Sequence, residues 1–252
     1  MDDHAQNQFV TIAGVKVSNY SLHELLEAIE WYVKTDHPAL MLSANVHSIN
    51  LANKHPWFMK LINSAEIVRN DSAGVLLAGK ILRSPVKARL TWADFGWLLA
   101  EFCERKKLTL FFLGNNPGIP EKARDNLKRK HPELMVAGTH HGYFKKWDEE
   151  NENIIQMINR CSPDILIIGL GMPLQEKWIL ENKEKLKAGI IMTGGNCFTY
   201  LAGLEQRAPK WMYKNGMEWL YRFLKEPFRM FSRYIIGNPL FLYRIILQRL
   251  GK

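Results

Sequence analysis

The sequence predicts an α/β fold: a Rossmann-like sandwich on a mainly parallel sheet, with a basic amphipathic helical C-terminal appendage. Short apolar runs alternate with helix-length stretches through the body of the chain. Polar, Gly-containing loops follow several of those runs, and composition changes near residue 205. Alternation of this kind points to helices packed on a parallel sheet, whose strands are buried on both faces and so read as continuous apolar runs.

Taken in order, the expected strands are Ala39–Ser43, Leu108–Leu113, Met135–Thr139, Ile165–Gly169 and Gly189–Thr193. Helices are expected at Ser21–Lys34, Trp92–Lys106, Ile119–His131 and Asp148–Cys161. Ser21 with Glu24 three residues on has the form of a capping box. Pro120 sits early in its helix, where a missing N–H costs little. In such sheets ligands bind beyond the carboxyl ends of the strands. Three polar loops are expected there: Gly114–Gly118, Gly169–Gln175 and Thr193–Asn196. There is no internal repeat and no low-complexity linker.

At 252 residues, 47% hydrophobic and 23% charged, the composition is that of an ordinary globular protein. The polar, acidic start Met1-Asp2-Asp3-His4 does not read as a secretory signal. The longest candidate span, Tyr234–Leu247, is short and broken by Asn238, Pro239 and Arg244, so no membrane crossing is expected. Cys103, Cys161 and Cys197 are scattered and odd in number, which disfavours a disulfide scaffold or a zinc site and fits a reducing cytoplasm.

Charge is concentrated. Residues 205–252 hold ten Lys and Arg against Glu205, Glu218 and Glu226, so seven of the nine net positive charges lie there. The same stretch holds ten of the 28 aromatic residues. We therefore expect a body over 1–204 and a basic, aromatic tail over 205–252. At 100° per residue, Arg222, Arg229 and Arg233 fall within about 40° of one another if one helix runs through them. Leu220, Leu224, Phe228, Phe231 and Ile235 form a separate apolar stripe. Pro227 makes that shared face conditional, since it either interrupts the helix or begins a second one. Trp211, Trp219 and Tyr221 suit a membrane interface; a basic solvated helix packed on the body by its apolar stripe is the alternative.

Individual motifs leave alternatives open. The loop after Phe111-Phe112-Leu113-Gly114 could present backbone N–H groups to a diphosphate, but glycine turns after strands also have steric causes. Gln175 and Glu176 fall in the first turn of a helix, where an amide can read a base or a sugar hydroxyl and an acid can simply complement the dipole. Asp71, in Arg69-Asn70-Asp71-Ser72-Ala73-Gly74 after the apolar turn Ala65–Val68, fits either a general base or an Asx turn or cap. No GxGxxG or Walker lysine occurs, against dehydrogenases and NTPases. The sequence pI of about 9.4 and the Arg/aromatic tail would suit nucleic acid, but no nucleic-acid motif is present and no such partner is expected.

Three long stretches together resemble the WecG/TagA/CpsF glycosyltransferases, also called glycosyltransferase family 26. They are Asp164–Trp178, Ala202–Pro209 and Glu218–Arg229 with Arg233-Tyr234 beyond, and the resemblance runs from about Phe9 to the C-terminus. It implies an inverting, metal-independent transfer of a hexose-type sugar from a UDP donor to a polyprenyl-diphosphate-linked saccharide. The setting implied is cell-surface polysaccharide synthesis by a peripheral protein on the anionic inner face of the cytoplasmic membrane, with a homo-oligomer left open. No D-x-D triplet or metal-ligand spacing occurs, so no metal or other cofactor is expected, and basic side chains must take the metal's place.

By the resemblance Asp71 is the base, and Arg222, Arg229 and Arg233 complete the active site when the tail docks. Ser43, Asn45, Arg89 and Asp94 match the acceptor pocket, with Ser43 where the family usually has Thr. Trp92 stands where the family usually has Gly, which bears on acceptor-pocket shape or donor preference. Gly114, Gly142, Gly169, Gly171, Pro173, Gln175, Glu176, Gly194, Gly195 and Arg207 fall to the nucleotide-sugar site. The donor sugar stays open among N-acetylmannosamine, its uronic acid, glucose and glucuronate. A UDP-sugar epimerase or hydrolase acting without a lipid acceptor is the alternative.

Overall fold

A computed structural model describes residues 9–35 and 38–251. The fold is α/β, as expected. Its main sheet has six parallel strands: β3 (Ala39–Ala44), β4 (Ile67–Asn70), β5 (Thr109–Gly114), β6 (Met135–His140), β7 (Ile165–Gly169) and β8 (Ile190–Thr193). Their spatial order is β4-β3-β8-β7-β5-β6. The five expected strands fall on β3, β5, β6, β7 and β8 to within a residue at each end. A separate antiparallel hairpin, β1 (Phe9–Ile12) and β2 (Val15–Ser18), turns through Ala13 and Gly14, both at positive φ.

The described residues divide into two compact units. The first gathers three stretches, 9–22, 43–90 and 207–251; the second holds 23–35, 38–42 and 91–206. β3 gives its first four residues to the second unit and its last two to the first.

In the first unit, α2 (Val46–Lys54), α3 (Pro56–Ser64) and α4 (Ala73–Ile81) accompany β4 and the hairpin. Asn45 caps α2 through a reciprocal box with Ser48, which satisfies two N-terminal donors at once. The tail belongs to this unit and folds as α10 (Lys210–Lys214), α11 (Glu218–Lys225), α12 (Pro227–Phe231), a π-helical segment Ser232–Ile236, and α13 (Gly237–Arg249). Pro227 begins a new helix, as one of its two expected effects.

The last helix, α13, packs on α2 and α4 and buries Phe241 and Ile245. Polar clasps fix it at both ends. Asn50 Nδ2 donates to Gly237 O at 2.7 Å, Arg244 donates to Asn50 Oδ1, and Gln248 bonds the backbones of Ala13 and Thr11 at 2.7 and 2.8 Å. Of the expected apolar stripe of the tail, Leu224, Phe228, Phe231 and Ile235 are exposed and Leu220 is half-buried.

The second unit carries α1 (Leu22–Tyr32), α5 (Trp92–Lys106), α6 (Ile119–Lys130), α7 (Glu149–Cys161), α8 (Leu174–Asn182) and α9 (Cys197–Leu201) with strands β5 to β8. All residues of β7 and β8 are buried. The core is aromatic: Phe95, Phe111, Phe112, Trp178 and Phe198 are fully buried, and the Phe112 and Phe198 rings lie 5.1 Å apart. Three of its buried polar side chains partner one another. Trp178 Nε1 donates to Asn151 Oδ1 (2.6 Å), Asn151 to Asn182 (3.0 Å), and Asn182 to Trp178 O (2.8 Å). All three cysteines are free, Cys103 and Cys197 are buried, and burial pushes the Cys103 thiol well up. No helix of the described residues is long and apolar enough to cross a membrane.

Candidate active site

In the first unit, the carboxyl ends of β3 and β4 bring Ser43, Asn45, Arg69 and Asp71 together. Asp71 follows β4, with its N–H on Ala44 O at 3.1 Å. The plainer roles open to Asp71 are taken by its neighbours. Asn70 makes the Asx turn, its Oδ1 accepting from Ser72 N at 2.9 Å, and Ser72 caps α4 by accepting from Gly74 N at 3.1 Å. The Asp71 carboxylate is thus left for other work.

Its surroundings are cationic. Arg69 is fully buried, donates from Nη2 to Ser43 Oγ at 2.8 Å, and lies 4.0 Å from Asp71 Oδ2. The Asn45 side chain also hydrogen-bonds the Asp71 carboxylate, while its Oδ1 accepts from Ser48 N. Burial raises the Asp71 pKa; Arg69, Arg233, the Asn45 bond and Arg222 oppose the rise without cancelling it. The side chain still keeps 20% of its surface open. A carboxylate raised in pKa, ringed by cations and reachable from outside is suited to take a proton.

The three tail arginines differ. Arg233, in the π-helical segment, is half-buried and electrostatically coupled to Asp71; burial works against its charge. Arg222 is half-buried and bonds Glu218 at 3.3 Å while acting on both Asp71 and Arg233. Arg229 is 69% exposed and paired with Glu226 at 2.9 Å. The single shared face expected for a continuous helix is broken by the restart at Pro227 and the π turn after Phe231.

Sequence reasoning passed over two residues here. Arg69 stands two residues before Asp71, but a charged residue in a four-residue strand gives no sign that it is buried. His47, in the first turn of α2, is half-buried, and burial and then Arg233 hold its imidazole down to about 4, so it is neutral at ordinary pH. Its signal was the Asn45-Val46-His47 spacing alone.

Arg89 lies in the loop after α4 that returns to Asn70, where Leu90 N donates to Asn70 O at 2.8 Å. It donates from Nη2 to Tyr213 O at 2.9 Å. Arg207 lies 3.7 Å above the Tyr213 ring. These two arginines had been assigned to different sites from the sequence, and the structure brings both to one tyrosine.

In the second unit the strand-end loops interlock. Gly114 has φ +143°, and a Cβ there would stand 2.4 Å from the backbone of Gly169. A Cβ on Gly169 would stand 2.9 Å from Gly195 O, so the chains approach too closely for any side chain. Gly142 N donates to Asn115 O at 2.7 Å, Asn115 N to Gly169 O at 3.0 Å, and Gly194 N to Ile168 O at 2.7 Å. Gly171 and Gly195 have positive φ and open space where a Cβ would be. Pro173 precedes α8 after a cis peptide bond.

Gln175 and Glu176 lie in the first turn of α8, where the sequence put them, but both are buried. Gln175 Oε1 accepts from Gly195 N at 3.0 Å and its Nε2 donates to Glu176 Oε1 at 2.8 Å, so Gln175 ties the β7 loop to the β8 loop. Burial pushes Glu176 up to about 7, against the lowering bond from Gln175. Asp94, exposed at the start of α5, accepts from Thr91 Oγ1 at 3.3 Å. Trp92 is buried and its Nε1 donates to Thr193 O at 2.9 Å, an anchor that glycine lacks.

Among the described residues no group of three or more His, Cys, Asp or Glu could hold a metal ion. Residues 10–252 match the profile described as the glycosyl transferase WecG/TagA/CpsF family. Two curated relatives, from Staphylococcus aureus strains MW2 and NCTC 8325 / PS 47, are each 27% identical over 247 residues, covering 97% of this chain and 95% of theirs. Both are named N-acetylglucosaminyldiphosphoundecaprenol N-acetyl-beta-D-mannosaminyltransferase. The match runs through β4, the Gly169–Trp178 stretch and the whole tail, and this chain belongs to the WecG/TagA/CpsF family of glycosyltransferases.

Proposed function

We propose that this glycosyltransferase moves a hexose-type sugar from a UDP donor onto a polyprenyl-diphosphate-linked saccharide, with inversion and without a metal. The observation that carries the reading is the half-buried, base-like Asp71 held by Asn45 among Arg69, Arg222 and Arg233. Asp71 takes the proton of an acceptor hydroxyl as that oxygen attacks the donor's anomeric carbon. The bond from that carbon to the diphosphate oxygen breaks, and the UDP leaves with the electron pair. Attack from the side opposite the leaving group inverts the centre. Arg222 and Arg233 stabilise the developing negative charge, a role for which fixed cations contribute about 3 kcal/mol each.

The test is a donor panel of UDP-N-acetylmannosamine, its uronic acid, UDP-glucose and UDP-glucuronate against a polyprenyl-diphosphate-N-acetylglucosamine acceptor. The relatives' names put the first of these foremost. One donor should give a glycosylated lipid at the same rate with and without EDTA. Loss of turnover on chelation with recovery in manganese, or UDP release that needs no lipid acceptor, would overturn the reading.

The same proposal puts the protein on the inner membrane face through its tail. Phe228 is 97% exposed, with Leu224, Phe231 and Ile236 also exposed and Lys225 and Arg229 between them. Apolar side chains mixed with basic ones suit an anionic bilayer surface. Burying one phenylalanine contributes about 1.5–3 kcal/mol, so Phe228→Glu is expected to weaken partition onto anionic vesicles by about tenfold or more. Equal partition of variant and wild type in a vesicle co-sedimentation assay would remove the tail from this role.

A further inference from the structure

The sheet of the second unit divides at one seam. The chain leaves β5 through α6 for β6 on one side and leaves β7 through α8 for β8 on the other, while β5 and β7 lie side by side. Where connections depart in opposite directions, the carboxyl ends of the two strands border a crevice that takes ligands. Gln175, the amide that the sequence offers to such a ligand, is spent on Gly195 and Glu176. We infer that Glu205 meets the donor at this crevice by accepting a hydroxyl of its ribose, a contact that rests on the function proposed above and extends it to the nucleoside.

A relay of side chains runs from Glu205 to the seam. Asn115 directly follows β5, and its N–H donates to Gly169 O at the end of β7. Its Nδ2 donates to Asn196 Oδ1 at 3.1 Å, and Asn196 Nδ2 donates to Glu205 Oε2 at 2.6 Å. An amide can present either end to a neighbour, whereas an ionised carboxylate only accepts. Glu205 therefore sets which way Asn196 faces. Asn196 in turn sets Asn115, whose Oδ1 is left to accept from Asn116 N at 2.8 Å.

The carboxylate is not used up by this work. Its Oε2 accepts from Asn196 and, at 3.2 Å, from Thr199 Oγ1, while Oε1 accepts from Tyr200 O–H at 3.0 Å. A carboxylate has about four acceptor positions, so one on Oε1 stays open among the described residues. All three partners are neutral, and Glu205 forms no ion pair among the described residues. A carboxylate without a counter-cation repels phosphate and favours a neutral donor such as a hydroxyl. Glu205 and Asn115 are half-buried and Asn196 is exposed, so the relay is open to a ligand. In nucleotide-binding sheets of this kind, an acid at the crevice pairs with the ribose hydroxyls.

Titration calorimetry on the full chain compares UDP, 2′-deoxy-UDP, 3′-deoxy-UDP and UDP-glucose on wild type, Glu205→Ala and Glu205→Gln. Wild type should bind at least one deoxy analogue about tenfold or more weakly than UDP, as when a hydrogen bond to a charged group is lost. Glu205→Ala should bind UDP about tenfold more weakly and no longer distinguish it from that analogue. Glu205→Gln keeps the shape of the side chain and should also narrow the difference, which decides the matter if the alanine variant fails to fold. Equal affinity of wild type for UDP and both deoxy analogues would overturn the contact. So would discrimination that persists in both variants, or an effect of the variants on UDP-glucose that UDP does not share, which would assign the acid to the transferred sugar. If wild type shows the ribose discrimination but transfers no sugar in the donor panel, the proposed reaction fails and the contact stands. If transfer occurs and the discrimination is missing, the contact alone fails; absence of any UDP binding ends both.

Discussion

Asp71→Asn is expected to lower kcat by about 10²- to 10⁴-fold, the range by which a positioned base accelerates proton transfer. The substitution keeps the shape of the side chain and its place after β4, so the loss reports removal of the base. Stability gives the control. Burial raises the Asp71 pKa in the folded chain, so folding favours the protonated acid. That stabilising contribution is full below the unfolded value of about 3.9 and is lost as pH rises through the raised folded value. At neutral pH the ionised carboxylate therefore costs stability, and the neutral amide should melt no lower than wild type. In the wild type, kcat/KM should fall on the acid side through a limb set above the ordinary carboxylate range, and the Asn variant should lack that limb. An unchanged kcat, measured with saturating donor and acceptor, would remove Asp71 from the reaction.

The second unit was largely legible in the sequence. Strands such as Ile165–Gly169 are buried on both faces, so one apolar run marks each, and Gly or Asp marks its ends. The first unit was not, and the reason is physical. β4 reads Ile67-Val68-Arg69-Asn70, and its arginine and asparagine look like a loop until Ser43 and the backbone at Ala88 are seen to partner them. Tertiary partners decided that element, and they come from 18 or more residues away. The hairpin failed to stand out because two four-residue strands around Ala13-Gly14 carry too few alternations to register. Composition marked a change near residue 205. It could not show that the tail folds with residues 9–22 and 43–90, because the clasps by Asn50, Arg244 and Gln248 are single polar side chains. In the candidate site, residue types were legible and orientations were not. Gln175 reads as a ligand-facing amide, yet its two polar ends are spent on Gly195 and Glu176.

The tail arginines turn that difference into the second large effect. Arg233→Ala is expected to lower kcat by about 10²- to 10³-fold, as when one preorganised donor is removed from a developing anion. Arg233 is half-buried, electrostatically coupled to Asp71 and oriented by the π-helical turn, with its guanidinium 5.6 Å from the Tyr234 ring centroid. A guanidinium held in that way loses little on reorganisation when charge develops, which is why its removal is costly. Arg229→Ala should leave kcat with soluble acceptor nearly unchanged, because its side chain is open to solvent and paired with Glu226, and exposed pairs contribute little. Its loss should appear instead in partition onto anionic vesicles. On an uninterrupted helix the two arginines would share a face and the two substitutions would behave alike. Equal losses of kcat from both, assayed with a soluble acceptor analogue, would show that the tail rearranges before chemistry and brings Arg229 to the leaving group; unequal losses place the electrostatic work on Arg233, in the stretch where the helix widens into its π turn.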